Sequence, residues 1–332
     1  MRALFFVPTV TNATPRALIF EAMHTWTAPF AEPDILGESP FWHPTERLLY
    51  WVDIPGRKVR RGDPATGRDE SWSLPTEPGC IAPVRGGGLV IALRDGVYRA
   101  REWGGALECL TTFPHDPATT RFNDGKCDSH GRLWAGTMYE PKDGKRGADL
   151  WCLDMRSGKP AVTLKACNAS TANGMAWSLD ESTAFWSDTP RHRIHAWDFE
   201  ADTGVLRRHR VFREFPGKPE GWTAGEAPPG SYGGRPDGSA VDSAGRYHCA
   251  MFEGGRLLRI AADFEHSDSI EMPVACPTMP CFGGDDLRTL FVTTSREKRP
   301  QAELQRTPLA GRVLATRVDV PGQAVHFFDA GD

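Results

Sequence analysis

The stretch ESPFWHPTERLLYWVDIPGRKVRRGD, residues 38–63, contains three short strand-like runs separated by turns. ESPFW opens with an acid, RLLYWVDI is apolar and ends in a turn, and RKVRRGD follows it. ESWSLP (70–75) adds a fourth run to the unit. Short runs of this kind, bounded by Gly, Pro and Asp, are typical of antiparallel β-structure.

The same unit recurs along the chain. The apolar second runs are RLLYWVDI, GLVIALRD, RLWAGTMY, TAFWSDTP, RYHCAMFE and TLFVTTSR, and a third run follows each. A fourth run follows in most units, and AVHFFDA (324–330) is the candidate in the last one. Six units of four strands, repeating at about 40 to 60 residues, predict an all-β, six-bladed β-propeller around a central channel. A sandwich would not repeat in this way, and the near absence of helical periodicity argues against an α/β fold.

The repeat also predicts the domain organisation. Residues 1–19 precede the first unit and are assigned to an N-terminal extension, and residues 20–332 to a single propeller domain. Either 20–36 or AVHFFDA could supply the strand that completes the last blade. A Gly- and Pro-rich insertion at 215–235 interrupts the connection between the fourth and fifth units, and long loops of this kind are often functional.

The composition narrows the function. The chain has 332 residues and a net charge of −4 without long charged blocks, which argues against nucleic-acid and membrane partners. MRALFFVPTV is a weak secretory signal because Pro8 interrupts it, so we predict a cytoplasmic protein. Eight cysteines without Cys-x-x-Cys pairs indicate reduced, mostly buried thiols. The oligomeric state is not indicated.

Alignment of the six units places one residue of each at the start of the innermost strand. These residues are Glu38, Ile81, Asn123, Asn173, Asp237 and Thr278. In a propeller, equivalent positions of successive blades form a ring, so we expect these side chains to converge at one end of the channel. An acid therefore begins an apolar strand because it faces the channel and not the core.

Two carboxylates and two amides around one axis predict a bound cation, since the carboxylates would otherwise repel each other. Oxygen ligands favour one divalent ion, with Ca²⁺ first and Mg²⁺ or Mn²⁺ compatible; Zn²⁺ and Fe²⁺ are further candidates. The alternative is that these residues cap hairpins or bind channel water.

Other polar residues near the repeats receive structural roles. Asp53, Asp128, Asp188 and Asp242 recur at strand ends and are interpreted as turn formers. The side chain of Asp124 is expected to point away from that of Asn123 along a strand, and its role is left open. Lys126 is interpreted as a surface or turn residue.

Five segments, in order, resemble the signature segments of the gluconolactonase, regucalcin and senescence-marker-protein family. They are GESPFW, RFNDGKCDSHGRLWAGTM, NGMAWSLD, RPDGSAVDSAGRYHCAMFEGGRLLRI and PTMPCFGGDDLRTLFVTT, within residues 36–318. The resemblance implies a six-bladed propeller that hydrolyses sugar lactones with one axial divalent metal. It implies that Glu38, Asn173 and Asp237 are the metal ligands, that Arg121 and Asn123 contact the substrate, and that Asp237 is also the general base.

The chemistry of these residues agrees with that implication. A divalent metal polarises a carbonyl and activates water, and either Asp237 or the metal could generate the nucleophile. Arg121 and Asn123 suit a polyhydroxylated substrate. Two alternatives are a metal-dependent phosphotriesterase or arylesterase and a calcium-binding regulatory propeller without turnover. The insertion at 215–235 and the loop PKDGKRGADLW (141–151) depart from the expected family pattern, which leaves the choice of lactone open.

Overall fold

Six antiparallel sheets make up nearly all the regular structure of the chain. The computed structural model describes residues 24–228 and 230–332; the extension predicted at 1–19 lies outside them. Blades 1 to 3 consist of β1 (Gly37–His43), β2 (Leu48–Asp53), β3 (Lys58–Asp63) and β4 (Arg68–Ser73); β5 (Cys80–Pro83), β6 (Leu89–Leu93), β7 (Gly96–Ala100) and β8 (Leu107–Thr112); and β9 (Thr120–Cys127), β10 (Leu133–Tyr139), β11 (Ala148–Asp154) and β12 (Ala161–Ala169).

The remaining three sheets repeat this order. Blades 4 to 6 consist of β13 (Ala172–Trp177), β14 (Thr183–Asp188), β15 (Arg193–Glu200) and β16 (Val205–Glu214); β17 (Arg235–Val241), β18 (Tyr247–Phe252), β19 (Arg256–Ile260) and β20 (Ser267–Glu271); and β21 (Pro277–Gly283), β22 (Thr289–Thr294) and β23 (Leu314–Arg317). A 3₁₀ turn, Thr189–Arg191, follows β14, and one short helix, α1 (Gln301–Arg306), lies between β22 and β23.

The sheets are arranged as a ring. The first strands of successive blades contact one another in the order β1, β5, β9, β13, β17, β21, and β21 contacts β1 again. This arrangement confirms the predicted six-bladed propeller. We call the end of the channel at which these innermost strands begin the upper end.

Burial decreases from the channel outwards. The innermost strands are almost completely buried, whereas the outer strands β4, β8, β12 and β16 are partly exposed along their length. Aromatic residues fill the spaces between blades: Trp134 of blade 3 meets Trp177 of blade 4 with ring centroids 6.0 Å apart. Tryptophan side chains of neighbouring blades therefore pack against each other in this pair.

The N-terminal side of the domain closes the ring. Thr27 and Ala315 exchange two backbone hydrogen bonds of 2.9 and 2.8 Å, which adds the segment before β1 to the outer edge of the three-stranded blade 6. Of the two alternatives left open by the sequence, the segment within 20–36 is the one that joins blade 6, and AVHFFDA does not. Phe328 instead pairs with Val84 in blade 2, and its backbone N–H donates to Pro83 at 2.8 Å. The C-terminal segment therefore runs along the blades and does not complete one.

The turn and thiol predictions agree with the structure. Within the turns, the Asp53 carboxylate accepts a hydrogen bond from the Gly56 backbone N–H at 3.3 Å, and the Asp128 carboxylate accepts one from the His130 backbone N–H at 3.1 Å. All eight cysteines are free thiols, and only Cys109 and Cys167 are exposed. Among the described residues, no helix has the length and apolar character required to cross a bilayer.

Candidate active site

All six residues predicted at the channel lie on the innermost strands and are buried. Glu38, Asn123, Asn173 and Asp237 are each 4–5% exposed. The remaining two positions have other roles. Ile81 is an apolar residue of β5, and the Thr278 hydroxyl donates to the Gly37 carbonyl at 2.6 Å, which joins blade 6 to blade 1.

A β-bulge occurs at the same place in five of the six innermost strands. The register between innermost strand and neighbour shifts directly at or after each polar position, as between Glu38 and Phe41, Asn173 and Ala176, or Pro236 and Ser239. Strand β5, which carries the apolar residue, pairs without a shift. Because a bulge places an extra residue opposite its partner strand and redirects the side chains, it accounts for polar groups in otherwise apolar strands.

Glycine is required in the bulge of blade 4. Gly174 has a φ of 60°, and a Cβ atom there would lie 2.5 Å from the Ser187 hydroxyl oxygen and 2.6 Å from the Asp237 carbonyl oxygen. Both distances are too short for a side chain, so the strands carrying Asn173 and Asp237 can approach this closely only with glycine at this position.

A chain of hydrogen bonds fixes the amide side of the site. Arg121 donates to the Asn123 amide oxygen at 2.8 Å, and Asn123 donates to the Asn173 amide oxygen at 2.6 Å. Asn173 in turn donates to the Thr189 hydroxyl at 2.8 Å, and Thr189 donates to the Pro236 carbonyl at 2.7 Å. The chain connects blades 3, 4 and 5 and leaves the Asn173 oxygen with a free lone pair.

The acidic side of the site contains three carboxylates and not two. Burial, followed by the charges of Asp237 and Asp124, raises the pKa of Glu38 well above its ordinary value. Burial and the charge of Asp124 raise the pKa of Asp237 in the same way. Without a cation, these groups therefore resist ionisation together.

Asp124 is the member of this group whose role the sequence left open. Its Oδ2 atom accepts a 2.6 Å hydrogen bond from the Gly174 backbone, while its buried Oδ1 atom has no hydrogen-bond partner. Both Asn123 and Asp124 lie in the bulge of β9, where the register shifts between Ala135 and Thr137 of β10. The signal in the sequence is a glycine directly after a polar residue, as in Asp124-Gly125 and Asp237-Gly238.

Arg121 is buried beside an acid at the rim. Its Nε atom lies 3.7 Å from Glu140, and Glu140 also accepts a 2.8 Å hydrogen bond from Arg94. Burial lowers the pKa of Arg121, although the charges of Glu140 and Glu297 oppose this effect. The guanidinium Nη1 atom is occupied by Asn123 and the Phe122 carbonyl, which leaves Nε and Nη2 directed to the side of Glu140 and Met138.

The surface or turn assignment of Lys126 was wrong. Lys126 lies inside β9, and its ammonium group donates to the Ser239 carbonyl of β17. Burial lowers its pKa, and the charges of Asp124 and Glu38 oppose that effect. Lys126 lines a cavity of about 120 Å³ together with Glu181 and His326. None of the residues predicted to bind the metal or the substrate lines this cavity. The lysine therefore lies between the carboxylates and the lower part of the channel.

Metal binding at this site would depend on an amide. Within residues 24–228 and 230–332, no three His, Cys, Asp or Glu side chains form a group that could hold an ion. The predicted ligand set does not require such a group, since Asn173 supplies one of its three donors. Two carboxylates and an amide oxygen are hard donors that suit Ca²⁺ or Mg²⁺, and the unpartnered Asp124 oxygen adds negative charge beside them.

Comparison with known proteins agrees with the fold and the motifs. A family model described as "SMP-30/Gluconolactonase/LRE-like region" matches residues 36–296. The 6-deoxy-6-sulfogluconolactonase of Pseudomonas putida is 41% identical over 90% of this chain and 96% of its own length. The regucalcin of Gallus gallus is 32% identical over 84% of this chain and 89% of its own.

Solved structures show the same architecture. A calcium-binding protein, regucalcin, from Agrobacterium tumefaciens strain C58 superposes with a TM-score of 0.80 at 25% identity. The superposition covers 92% of this chain and 97% of the other.

Proposed function

Because the chain belongs to the SMP-30/gluconolactonase/LRE-like family, we propose that it hydrolyses a sugar lactone to the aldonic acid with one divalent metal ion. In this proposal Glu38, Asn173 and Asp237 hold the ion at the upper end of the channel. The observation that supports the proposal is that the charges of the buried Glu38, Asp124 and Asp237 act on one another, while the backbone of Gly174, next to Asn173, bonds to Asp124. The names of the relatives supply the reaction class.

The bound ion would polarise the lactone carbonyl and stabilise the negative charge that develops on its oxygen. Asp237 orients a water molecule and accepts one of its protons. The water oxygen bonds to the carbonyl carbon, the bond from that carbon to the ring oxygen breaks, and the ring oxygen leaves as a hydroxyl with the proton. Arg121 and Asn123 bind substrate hydroxyls, since together they present donors and an acceptor on one side of the site.

The test is acid release, measured at constant pH, from a panel of five- and six-membered aldonolactones. Activity is expected to disappear on chelation and to return with added Ca²⁺ or another divalent ion. The Pseudomonas relative is named for a lactone with a sulfonate on carbon 6, so charged lactones belong in the panel. Metal analysis and a thermal shift with added Ca²⁺ give readouts that do not depend on turnover.

Two other functions would give different results. A calcium-binding regulatory propeller is the second candidate, since two similar proteins are named regucalcin. It predicts a Ca²⁺-dependent thermal shift without acid release from any lactone. A phosphotriesterase or arylesterase would instead hydrolyse apolar esters, which the polar pair of Arg121 and Asn123 disfavours. Failure of every lactone in the panel would overturn the lactonase proposal.

A further inference from the structure

The insertion at 215–235, called the strap from here on, is attached to three blades beside the candidate active site. In blade 4, His192 contacts the Tyr232 hydroxyl. In blade 5, Arg256 donates to the Gly233 carbonyl at 3.1 Å, and in blade 6 Arg306 donates to the Gly225 carbonyl. The described residues of the strap therefore contact the rim on the side of Asp237.

A group of charges with an excess of cations lies where the strap meets blade 5. The Glu253 carboxylate, 4% exposed, lies 2.7 Å from Lys218, 3.3 Å from Arg235 and 2.7 Å from Arg299. Arg299 also forms a two-pronged ion pair with Glu303 at 2.7 Å. Three cations thus share two carboxylates, and the buried Nε atom of Arg235 has no hydrogen-bond partner. The group therefore carries one more positive charge than negative charge.

Lys218 is held in place by aromatic rings as well as by Glu253. Its ammonium group lies 4.7 Å from the ring centre of Trp222 and 5.8 Å from that of Tyr232, and these two rings meet edge to face. Trp222 therefore makes a cation–π contact with Lys218. A cation fixed in this way is prepared to bind an anion at small entropic cost.

The cationic group is close to the reacting centre. Arg235 and Asp237 are two residues apart on β17, so their Cα atoms lie within about 7 Å of each other. A second connection runs through the 3₁₀ turn that begins at Thr189. Thr189 accepts the hydrogen bond of Asn173 in the candidate site, and His192, which follows the turn, contacts Tyr232 of the strap. The positive charge of Arg235 also lowers the pKa of Asp237, against burial and the charge of Asp124.

We propose that the strap forms a subsite for an anionic substituent on the exocyclic chain of the lactone, with Lys218 and Arg235 as its cations. The inference rests on the proposed lactonase function and narrows its substrate class to lactones that carry a sulfonate, phosphate or carboxylate. The far end of a six-carbon lactone is only a few bond lengths from its carbonyl, so one molecule can reach both places. In blade 3, Arg121 lies 3.7 Å from Glu140, whose negative charge repels a second anion there.

The experiment compares kcat/KM for gluconolactone with that for its analogues bearing a phosphate, a sulfonate or a carboxylate at carbon 6. The wild-type protein is expected to prefer at least one charged lactone by about tenfold or more, because a charge-assisted ion pair adds to its binding. Lys218→Met should lower the charged-to-neutral ratio of kcat/KM by about tenfold, and Lys218→Arg should retain most of it. Lys145→Met is the control, since Lys145 is an exposed lysine on another rim loop, paired with Asp143 at 3.3 Å.

Each result is decisive. If no lactone is hydrolysed, both the proposed function and this inference fail. If the neutral lactone is hydrolysed at least as efficiently as every charged one, the subsite does not exist while the lactonase proposal stands. If a charged lactone is preferred but the ratio is the same in the Lys218→Met and Lys145→Met proteins, the preference does not come from the strap. Circular dichroism of Lys218→Met and Lys218→Arg verifies that the variants are folded.

Discussion

Two aspartates on the same stretch of chain, five residues apart, have opposite surroundings. Asp237, at the upper end of β17, is buried near Glu38 and Asp124, and its pKa is raised well above the ordinary value. Asp242 directly follows the lower end of β17 and accepts hydrogen bonds from the Arg246 guanidinium at 2.7 Å and the His248 ring at 2.8 Å. Burial alone would raise the pKa of Asp242, but these donors outweigh it and lower the pKa to about 2.

The same contrast is present on β9. Asp124, in the upper bulge, has a buried oxygen without a partner, whereas Asp128, after the lower end, is bonded to Arg132 at 2.6 Å and to Trp134 at 2.8 Å. A carboxylate with all its acceptor sites occupied stabilises the fold, and one that lacks donors is available for an ion or substrate. Similar burial therefore accompanies different hydrogen bonding, and the different roles that we propose for these aspartates follow from that difference.

The largest effect is expected at Asp237. Asp237→Asn should reduce turnover of the best lactone by about 10³-fold or more, since in the proposed mechanism it removes the proton acceptor and one negatively charged ligand of the metal. The circular dichroism spectrum and melting temperature should stay close to those of the wild type, because the carboxylate has few donors to lose. Acid release and thermal unfolding are measured on the same preparation. An unfolded Asp237→Asn protein would show that this aspartate is structural after all.

Asp242→Asn tests the other half of the comparison. It should lower the free energy of unfolding by about 1–3 kcal/mol, since the charge-assisted hydrogen bonds to Arg246 and His248 are weakened. The kcat of the folded variant should be unchanged. Urea unfolding and acid release measure the two quantities. A loss of kcat with full stability would reverse the roles assigned to the two aspartates.

The stability that the hydrogen bonds of Asp242 contribute should decrease at low pH. The pKa of Asp242 in the folded protein, about 2, is below the usual value in an unfolded chain, so its stabilisation is complete above about pH 4 and is lost as pH falls towards 2. The difference in unfolding free energy between wild type and Asp242→Asn should therefore shrink by about 2 kcal/mol across that window. Urea titrations at several pH values measure it, and a constant difference would contradict the assignment.

Arg121→Ala should mainly raise the KM for the lactone, by about tenfold to a hundredfold, because it removes charged hydrogen bonds to substrate hydroxyls and leaves Asp237 in place. Steady-state kinetics with several lactones measures the change. Arg94→Ala, which removes the neighbouring partner of Glu140, is the matched control and should affect KM less. If KM is unchanged for every lactone tested, Arg121 does not contact the substrate.

The smallest effect is expected below the carboxylates. Lys126→Met removes a positive charge that repels a cation near Asp124 and Glu38, so Ca²⁺ should bind about threefold to tenfold more tightly. Calorimetric titration of the metal-free protein measures the dissociation constant, and Lys126→Arg, which keeps the charge, is the control. Weaker binding in Lys126→Met would mean that the lysine supports the metal ligands and does not oppose the ion.

Much of this architecture could be predicted because it repeats. The apolar second strands, the six channel positions and the turn aspartates recur at corresponding places, and the recurrence located Glu38, Asn173 and Asp237 on the innermost strands. The role of Asp124 was left open because alternation along a regular strand was assumed, and Lys126 was wrongly assigned to the surface or a turn. The bulge in β9 breaks that alternation, and the channel gives a lysine an interior position that composition does not reveal.

The sequence by itself determined the blades, since strand length, apolar alternation and turn residues are local properties of the chain. Only the tertiary structure decided which acids lack donors, where the strap is attached and how Lys218, Arg235 and Arg299 share Glu253. Those features depend on hydrogen bonds and charge interactions that act over a few ångströms. They join residues far apart in the chain, and the distances between these residues are set only when the ring of blades closes.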